Sequence, residues 1–239
     1  MIASALFAGC AAGLIAALLH FAFVQKYILL GEMYESGAMT HFTDEVDHPA
    51  PLETAEPVAE KGHVHHHQAA TGDWQRNGLT ALFMLILYTS YGLLLTAGFA
   101  FFDSLGRKIG PAEGMLWGIA GFVAFQLAPA MGLAPELPGA IAADLGERQI
   151  WWWSTVFGTG AGIALLAYGR KTWMFVLAGA LLALPHVIGA PEPEGYFGTA
   201  PPEVAAAFAA RVLGSALVAW TCLGWLAGHF WATSETDSA

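Results

Sequence analysis

His63, His65, His66 and His67 place four imidazoles within five residues, and Asp44, Glu45, Asp47 and His48 stand a short way upstream. Neutral imidazole is a ligand for cobalt, nickel, copper and zinc, and carboxylates add hard oxygen donors beside it. The stretch around them is polar and acidic: residues 25–76 hold six of the nine histidines and nine of the nineteen acidic residues. Pro49, Pro51 and Pro57, together with many carboxylates and few core-forming side chains, predict coil. Such coil folds around an ion only at a cost in conformational entropy, which favours moderate affinity and fast release. Affinity order ranks Cu²⁺ above the other divalent first-row ions, so these donors do not by themselves select one of the weaker-binding metals. The competing interpretation of the same composition is a solvated acidic loop that binds nothing.

The elements that must position this segment are apolar. The 239 residues are 56% hydrophobic and 12% charged, with mean hydropathy +0.53; a soluble domain carries about a quarter charged residues. The formal charge of −10 argues against a nucleic-acid partner. Cys10 and Cys222 lie far apart inside apolar runs and read as small buried hydrophobes, not as a disulfide. Six runs are long enough, or nearly so, to cross a core of ~30 Å at 1.5 Å per residue: 2–24, 78–102, 111–133, 151–168, 173–188 and 202–231. The expected organisation is therefore an all-α integral membrane protein. A first transmembrane helix spans 1–24, a disordered His- and acid-rich outer loop 25–76, the remaining bundle 77–231, and a short cytoplasmic tail 232–239. Merging the short fourth and fifth runs gives five spans instead.

With six spans, the connections 103–111 and 169–172 share a side with both termini. They carry Arg107, Lys108, Arg170 and Lys171 in few residues, whereas Lys26, Lys61, Arg76 and Arg148 are spread over longer, acid-rich loops. The positive-inside rule places both termini in the cytoplasm and the His-rich loop outside. His20, Gln126, Glu136, Asp144 and His186 then all fall in or just beyond the outer leaflet, as candidates for a shared ion site.

Each candidate has a plainer interpretation. Pro185 withholds a donor from a helix carbonyl, which is tolerated where that carbonyl faces protein or a wet cavity. His186 beside it is a functional candidate by default, or an interfacial histidine touching water. Glu136, stiffened between Pro135 and Pro138, suits metal binding or an ion-pair clasp with Arg148. Gln126 suits a helix-to-helix hydrogen bond, Arg211 snorkelling or pairing, Trp151–Trp153 a membrane-interface belt, and His229 a capped helix end.

At Pro135-Glu136-Leu137-Pro138-Gly139, at Arg148 with Trp151-Trp152, and at Leu184-Pro185-His186 through Gly189-Ala190-Pro191, the chain resembles the CbtA family of predicted cobalt transporter subunits. The resemblance covers nearly the whole chain, including the first helix with its late His20 and the polar insertion after it. It implies a bacterial inner-membrane protein for cobalt uptake, acting beside CbtB, a small one-helix protein that also bears histidines. It also implies His20 as a second ligand with His186. Family spans are described as five; Arg170-Lys171 divides a stretch too long for one helix, which keeps the count here at six.

No GxxxxGK[ST], HExxH, nucleophile-elbow or dinucleotide motif is present. The expectation is a non-enzymatic transporter subunit for a divalent transition metal, cobalt first, with nickel, zinc and copper open. The outer loop, with His48, His63, His65, His66 and His67, captures the ion, and His20, His186 and Glu136 pass it inward. No prosthetic group is expected. The alternative is a non-transporting metal-binding or assembly subunit; a membrane enzyme acting on lipid or quinone ranks third.

Overall fold

The computed structural model describes residues 2–41 and 69–236, with side chains over 2–41 and 73–234. These residues form six helices and no strand; an isolated bridge joins Ala140 and Gly198. The helices are α1 (Ile2–Glu35), α2 (Ala69–Ser104), α3 (residues 111–130), α4 (Leu145–Tyr168), α5 (Thr172–Ile188) and α6 (Pro202–Thr236). Four are long and apolar enough to cross a membrane: Ile2–Glu35, Asp73–Ser104, Leu145–Tyr168 and Pro202–Ser234. Helix α5 is apolar but has only 17 residues.

The insertion between α1 and α2 is shorter than its composition suggests. Helix α1 runs on through Gln25–Glu35, and α2 begins at Ala69. The extension persists because Tyr27 and Ile28 keep packing on a buried cluster of Val24, Leu137 and Phe208. The four clustered imidazoles at 63–67, His48 and the expected coil around them lie outside the described residues; His41 is within them and exposed.

Local chemistry sets several helix ends. Pro111 starts α3, where its missing N–H costs nothing, and the Glu113 carboxylate accepts from the Gly110 amide at 3.1 Å. Near its far end α3 widens into a π turn over Val123–Leu127, with Ala128 N–H bonded to the Val123 carbonyl. Pro129 follows two residues later and has no N–H for the Phe125 carbonyl, and a wide turn relieves the clash of its ring. A second π turn, His20–Val24, sits within α1. Asp144 caps α4, its carboxylate accepting from Gly146 and Glu147 amides at 2.8 and 3.2 Å.

Helix packing is set by glycine. Lipid tails are as apolar as leucine, so membrane helices associate through close backbone approach. Gly114 and Gly118 on α3 face Gly224 and Gly228 on α6 so tightly that a β-carbon at Gly118 would strike the Trp220 carbonyl. Gly9 and Gly13 bring α1 against α2 in the same way, and Gly158 and Gly162 bring α4 against α5. The core lies around α6, where Trp220, Leu223, Ala219, Ala227 and Trp231 are almost fully buried with Ala8 and Ala12 of α1 and Phe99 of α2. Trp220 lies 4.4 Å from the Tyr91 ring and 5.7 Å from Phe125. Helix α5 packs on α4 and stands at the edge of the bundle.

The helices alternate in direction. At one end Ser4 Oγ donates to the Phe230 carbonyl at 3.3 Å and Phe102 meets Tyr168 at 4.5 Å, which gathers the starts of α1, α3 and α5 there. At the other end Gln25 Nε2 donates to Asn77 Oδ1 at 2.8 Å, and Ile141 N–H donates to the Phe197 carbonyl at 3.0 Å. Neither cysteine is in a disulfide; Cys10 is exposed on the bundle surface and Cys222 half-buried, so the buried-hydrophobe expectation fails for Cys10.

The glycine seam yields a direct check. Gly118→Leu forces α3 from α6 and should cost at least about 1–3 kcal/mol, read as a lower melting temperature in detergent. Gly214→Ala, on the same α6 but with open space at its β-position, should leave melting nearly unchanged. Equal melting of the two variants would contradict the seam.

Candidate metal-handling end of the bundle

The end of the bundle where α1 finishes and α2 begins also carries the 131–144 and 189–201 connections. Its layout turns on Pro135-Glu136-Leu137-Pro138. Prolines restrict the two residues between them, and these face opposite ways. Leu137 is 5% exposed and packs with Val24 of α1 and Phe208 of α6. Pro138 rests against Gly31, where a β-carbon would stand 3.1 Å from its ring. Glu136 turns toward α3 and α4 and accepts from Arg148 Nη2 at 3.0 Å.

Behind that ion pair lies a cavity of about 330 Å³, lined by Phe125, Gln126, Glu136, Arg148, Gln149 and Trp152 among others. Gln126 comes from the π turn of α3, which aims its amide into this space; it makes no hydrogen bond to another helix among the described residues, contrary to expectation. Asp144, one of the outer donors expected from sequence, is occupied as the α4 cap.

His186 lies in the last turn of α5, immediately after the helix-interior Pro185. Its ring meets the edge of Trp151 at 5.9 Å. The Trp151 Nε1–H donates to the Pro185 carbonyl at 3.0 Å, and Gly189 N–H donates to the same carbonyl at 3.1 Å. The carbonyl that Pro185 leaves without a donor, that of Leu181, faces Gly158 of α4, where a β-carbon would stand 3.0 Å from the oxygen. It therefore points at protein. Gly132, in the turn after α3, also abuts the Trp151 ring. Trp151 thus ties α3, α4 and α5 together, and the belt interpretation fits only Trp153, which is 48% exposed and stacked on Phe157. Trp152 is half-buried beside Phe125 at 6.0 Å.

His20 heads the π turn of α1, where its carbonyl accepts from Gln25 N–H and its ring meets Phe21 edge-on at 5.6 Å. It does not line the cavity that holds Glu136. The helices carrying His20 and His186 are not extensive packing neighbours. Among the described residues, no three His, Cys, Asp or Glu side chains converge closely enough to hold a metal ion. Glu136 and His186 thus lie at this end of the bundle, and the described donors do not form one cluster.

Cations at this end are engaged. Arg76 bonds Glu32 and Asp73, each at 3.3 Å. The Arg211 guanidinium lies 4.6 Å over the Tyr27 ring, a stacking interaction that lets it stay half-buried. At the opposite end His229 stacks on Trp225, four residues earlier, at 5.6 Å. The Glu32–Arg76 pair, the Trp151 bond and the Leu137 plug escaped the sequence; Gly31 and the paired prolines were the only local signals for the last.

An all-helical bundle with four span-length apolar helices and a polar, donor-bearing end defines a multi-pass membrane protein. The model of the family described as "Probable cobalt transporter subunit (CbtA)" matches residues 1–232, and the chain belongs to that family. No curated protein and no solved structure matches it.

The indole clasp is testable. Trp151→Phe keeps an aromatic ring but removes the N–H together with part of the buried ring volume, and should cost at least about 0.5–1.5 kcal/mol. Thermal unfolding in detergent measures this; an unchanged midpoint would show that the bond to Pro185 contributes nothing.

Proposed function

We propose that this chain is a subunit through which a divalent transition-metal ion, cobalt first, enters the cell across the bacterial inner membrane. The observation that carries the reading is family membership over nearly the whole chain. Geometry supports it: α1 ends and α2 begins beside the 131–144 and 189–201 connections, at the end that holds Glu136 and His186. In this reading the histidines His48, His63, His65, His66 and His67 raise the local ion concentration. His186, Glu136 and His20 then act as successive stations, each completed by donors of the loop, since they do not meet in one cluster. The Glu136–Arg148 pair has to open for its carboxylate to take part.

All six helices cross the bilayer in this reading, with the ends meeting at Ser4 and Phe230 in the cytoplasm. Charge supports that orientation. Arg107, Lys108, Arg170 and Lys171 crowd the short connections of that end, whereas Arg76 and Arg148 at the other are paired with carboxylates. A small one-helix CbtB-like subunit is the expected partner, and the role is transport, not catalysis.

A second reading, a non-transporting metal-binding or assembly subunit, is favoured by one observation: the absence of a three-donor cluster among the described residues. Purified protein in vesicles separates the two. Ion entry without a partner supports the carrier, whereas binding without entry supports the assembly subunit.

Radiocobalt accumulation in cells tests the leading reading. Deleting residues 44–67 should lower uptake partially, and His186→Ala should nearly abolish it; wild-type accumulation in His186→Ala removes that residue from the path. Imidazole binds metal when neutral, so uptake should fall as external pH drops through about 6.5, the ordinary imidazole value. A flat profile across that range would exclude imidazole capture. Accessibility labelling of His65→Cys and Glu192→Cys, in a chain lacking Cys10 and Cys222, should report the same outer side for both.

A further inference from the structure

Helices α3 and α4 touch chiefly where the π turn and Pro129 of α3 meet α4, and they separate toward the Arg107 end. The wedge left between them, closed on its third side by α2, is a groove of about 630 Å³. Its walls are apolar, and much of the space comes from small residues: Ala120, Gly121 and Ala124 on α3, Gly160, Ala164 and Ala167 on α4. Gly160 has nothing within 4 Å of its β-position. Leu94 and Leu116 at the groove edges are 53% and 63% exposed, so it opens sideways to the bilayer.

The mouth is cationic. Arg107 and Lys108 line it with Glu113, whose carboxylate is already bonded to the Gly110 amide. Lys108 reaches Asp103 at 3.6 Å, while the Arg107 guanidinium lies over the Tyr168 ring at 4.9 Å and has no carboxylate partner among the described residues. Arg170 and Lys171 follow Tyr168 after a single glycine, Gly169.

From these features we infer that the groove is a binding site for one anionic phospholipid of the leaflet at this end. An acyl chain lies along α3 and α4, and the phosphate sits on Arg107 and Lys108. Length discriminates between occupants. Along α2 the lining runs from Leu94 to Phe102, and the helix ends at Ser104 just before Arg107 and Lys108, about 15 Å from Leu94 at 1.5 Å per residue. That is close to one leaflet of a ~30 Å core, so it seats a lipid tail. A membrane-spanning helix, about 10–12 Å across with side chains, would leave its other half without a seat. Basic pockets between membrane helices recognise anionic head groups by the same charge complementarity.

The test uses purified full-length protein in mixed micelles with phosphatidylglycerol or phosphatidylcholine of identical chains, read by native mass spectrometry. Wild type should retain one phosphatidylglycerol per chain through washing and far less phosphatidylcholine. The double variant R107Q/K108Q should weaken phosphatidylglycerol retention about fivefold per cation removed. Gly160→Leu, which fills the groove from a position with open space, should weaken retention of both lipids while melting as wild type does. Equal retention of the two lipids by wild type, undiminished phosphatidylglycerol in both variants, or a polypeptide excluding lipid from the groove would each overturn the site.

Discussion

Two helices in hydrocarbon gain almost nothing by hiding leucine from lipid, so the α3–α6 contact rests on backbone proximity. Gly114, Gly118, Gly224 and Gly228 permit that proximity, and a single β-carbon along the line would collide with main chain. The rest of the bundle hangs from this seam. It holds Trp220 against Tyr91 and Phe125, and Phe125 in turn lies beside Trp152 of α4. A chain of ring contacts therefore carries the position of the α3–α6 pair out to the α4–α5 pair, which has no glycine seam of its own with the central helix.

The two ends of the bundle are built on different electrostatic terms. Where the 131–144 connection folds over, Arg76 and Arg148 are bonded to carboxylates and Arg211 is stacked on Tyr27. That end presents nitrogen and oxygen donors with its positive charge largely compensated, a surface that does not repel a cation. The opposite end concentrates Arg107, Lys108, Arg170 and Lys171 within two short connections. An approaching cation therefore meets very different fields at the two ends.

Much of the fold was legible in the sequence because membrane length is a hard constraint: about twenty apolar residues must stay together. The alternation of the six helices followed from that, and with it the gathering of Glu136, His186 and the flanks of the histidine segment at one end. What could not be read were contacts that composition leaves undetermined. The adjacent Trp151, Trp152 and Trp153 look alike in a sequence but end respectively as a buried clasp, a half-buried neighbour of Phe125 and an exposed ring. Glu136 and Leu137 face opposite ways, which separates Glu136 from α1 and its His20. The extension of α1 to Glu35 was hidden because residues 25–35 mix polar and apolar side chains, and only Leu137 and Phe208, distant in the chain, explain their helicity.

The bond from Ser4 to the Phe230 carbonyl places α1 beside α6, the first and last of the six helices in chain order. This has a bearing on biogenesis. During insertion α1 can pair at once with α2 through Gly9 and Gly13, but the central tryptophans arrive only with α6. The contacts of α6 with α1, α2 and α3 therefore form last, and contacts of such long sequence separation are the slow ones to form. Maturation of the bundle is then a late closure of α1, α2 and α3 around their shared last partner, with the α4–α5 pair carried at its side.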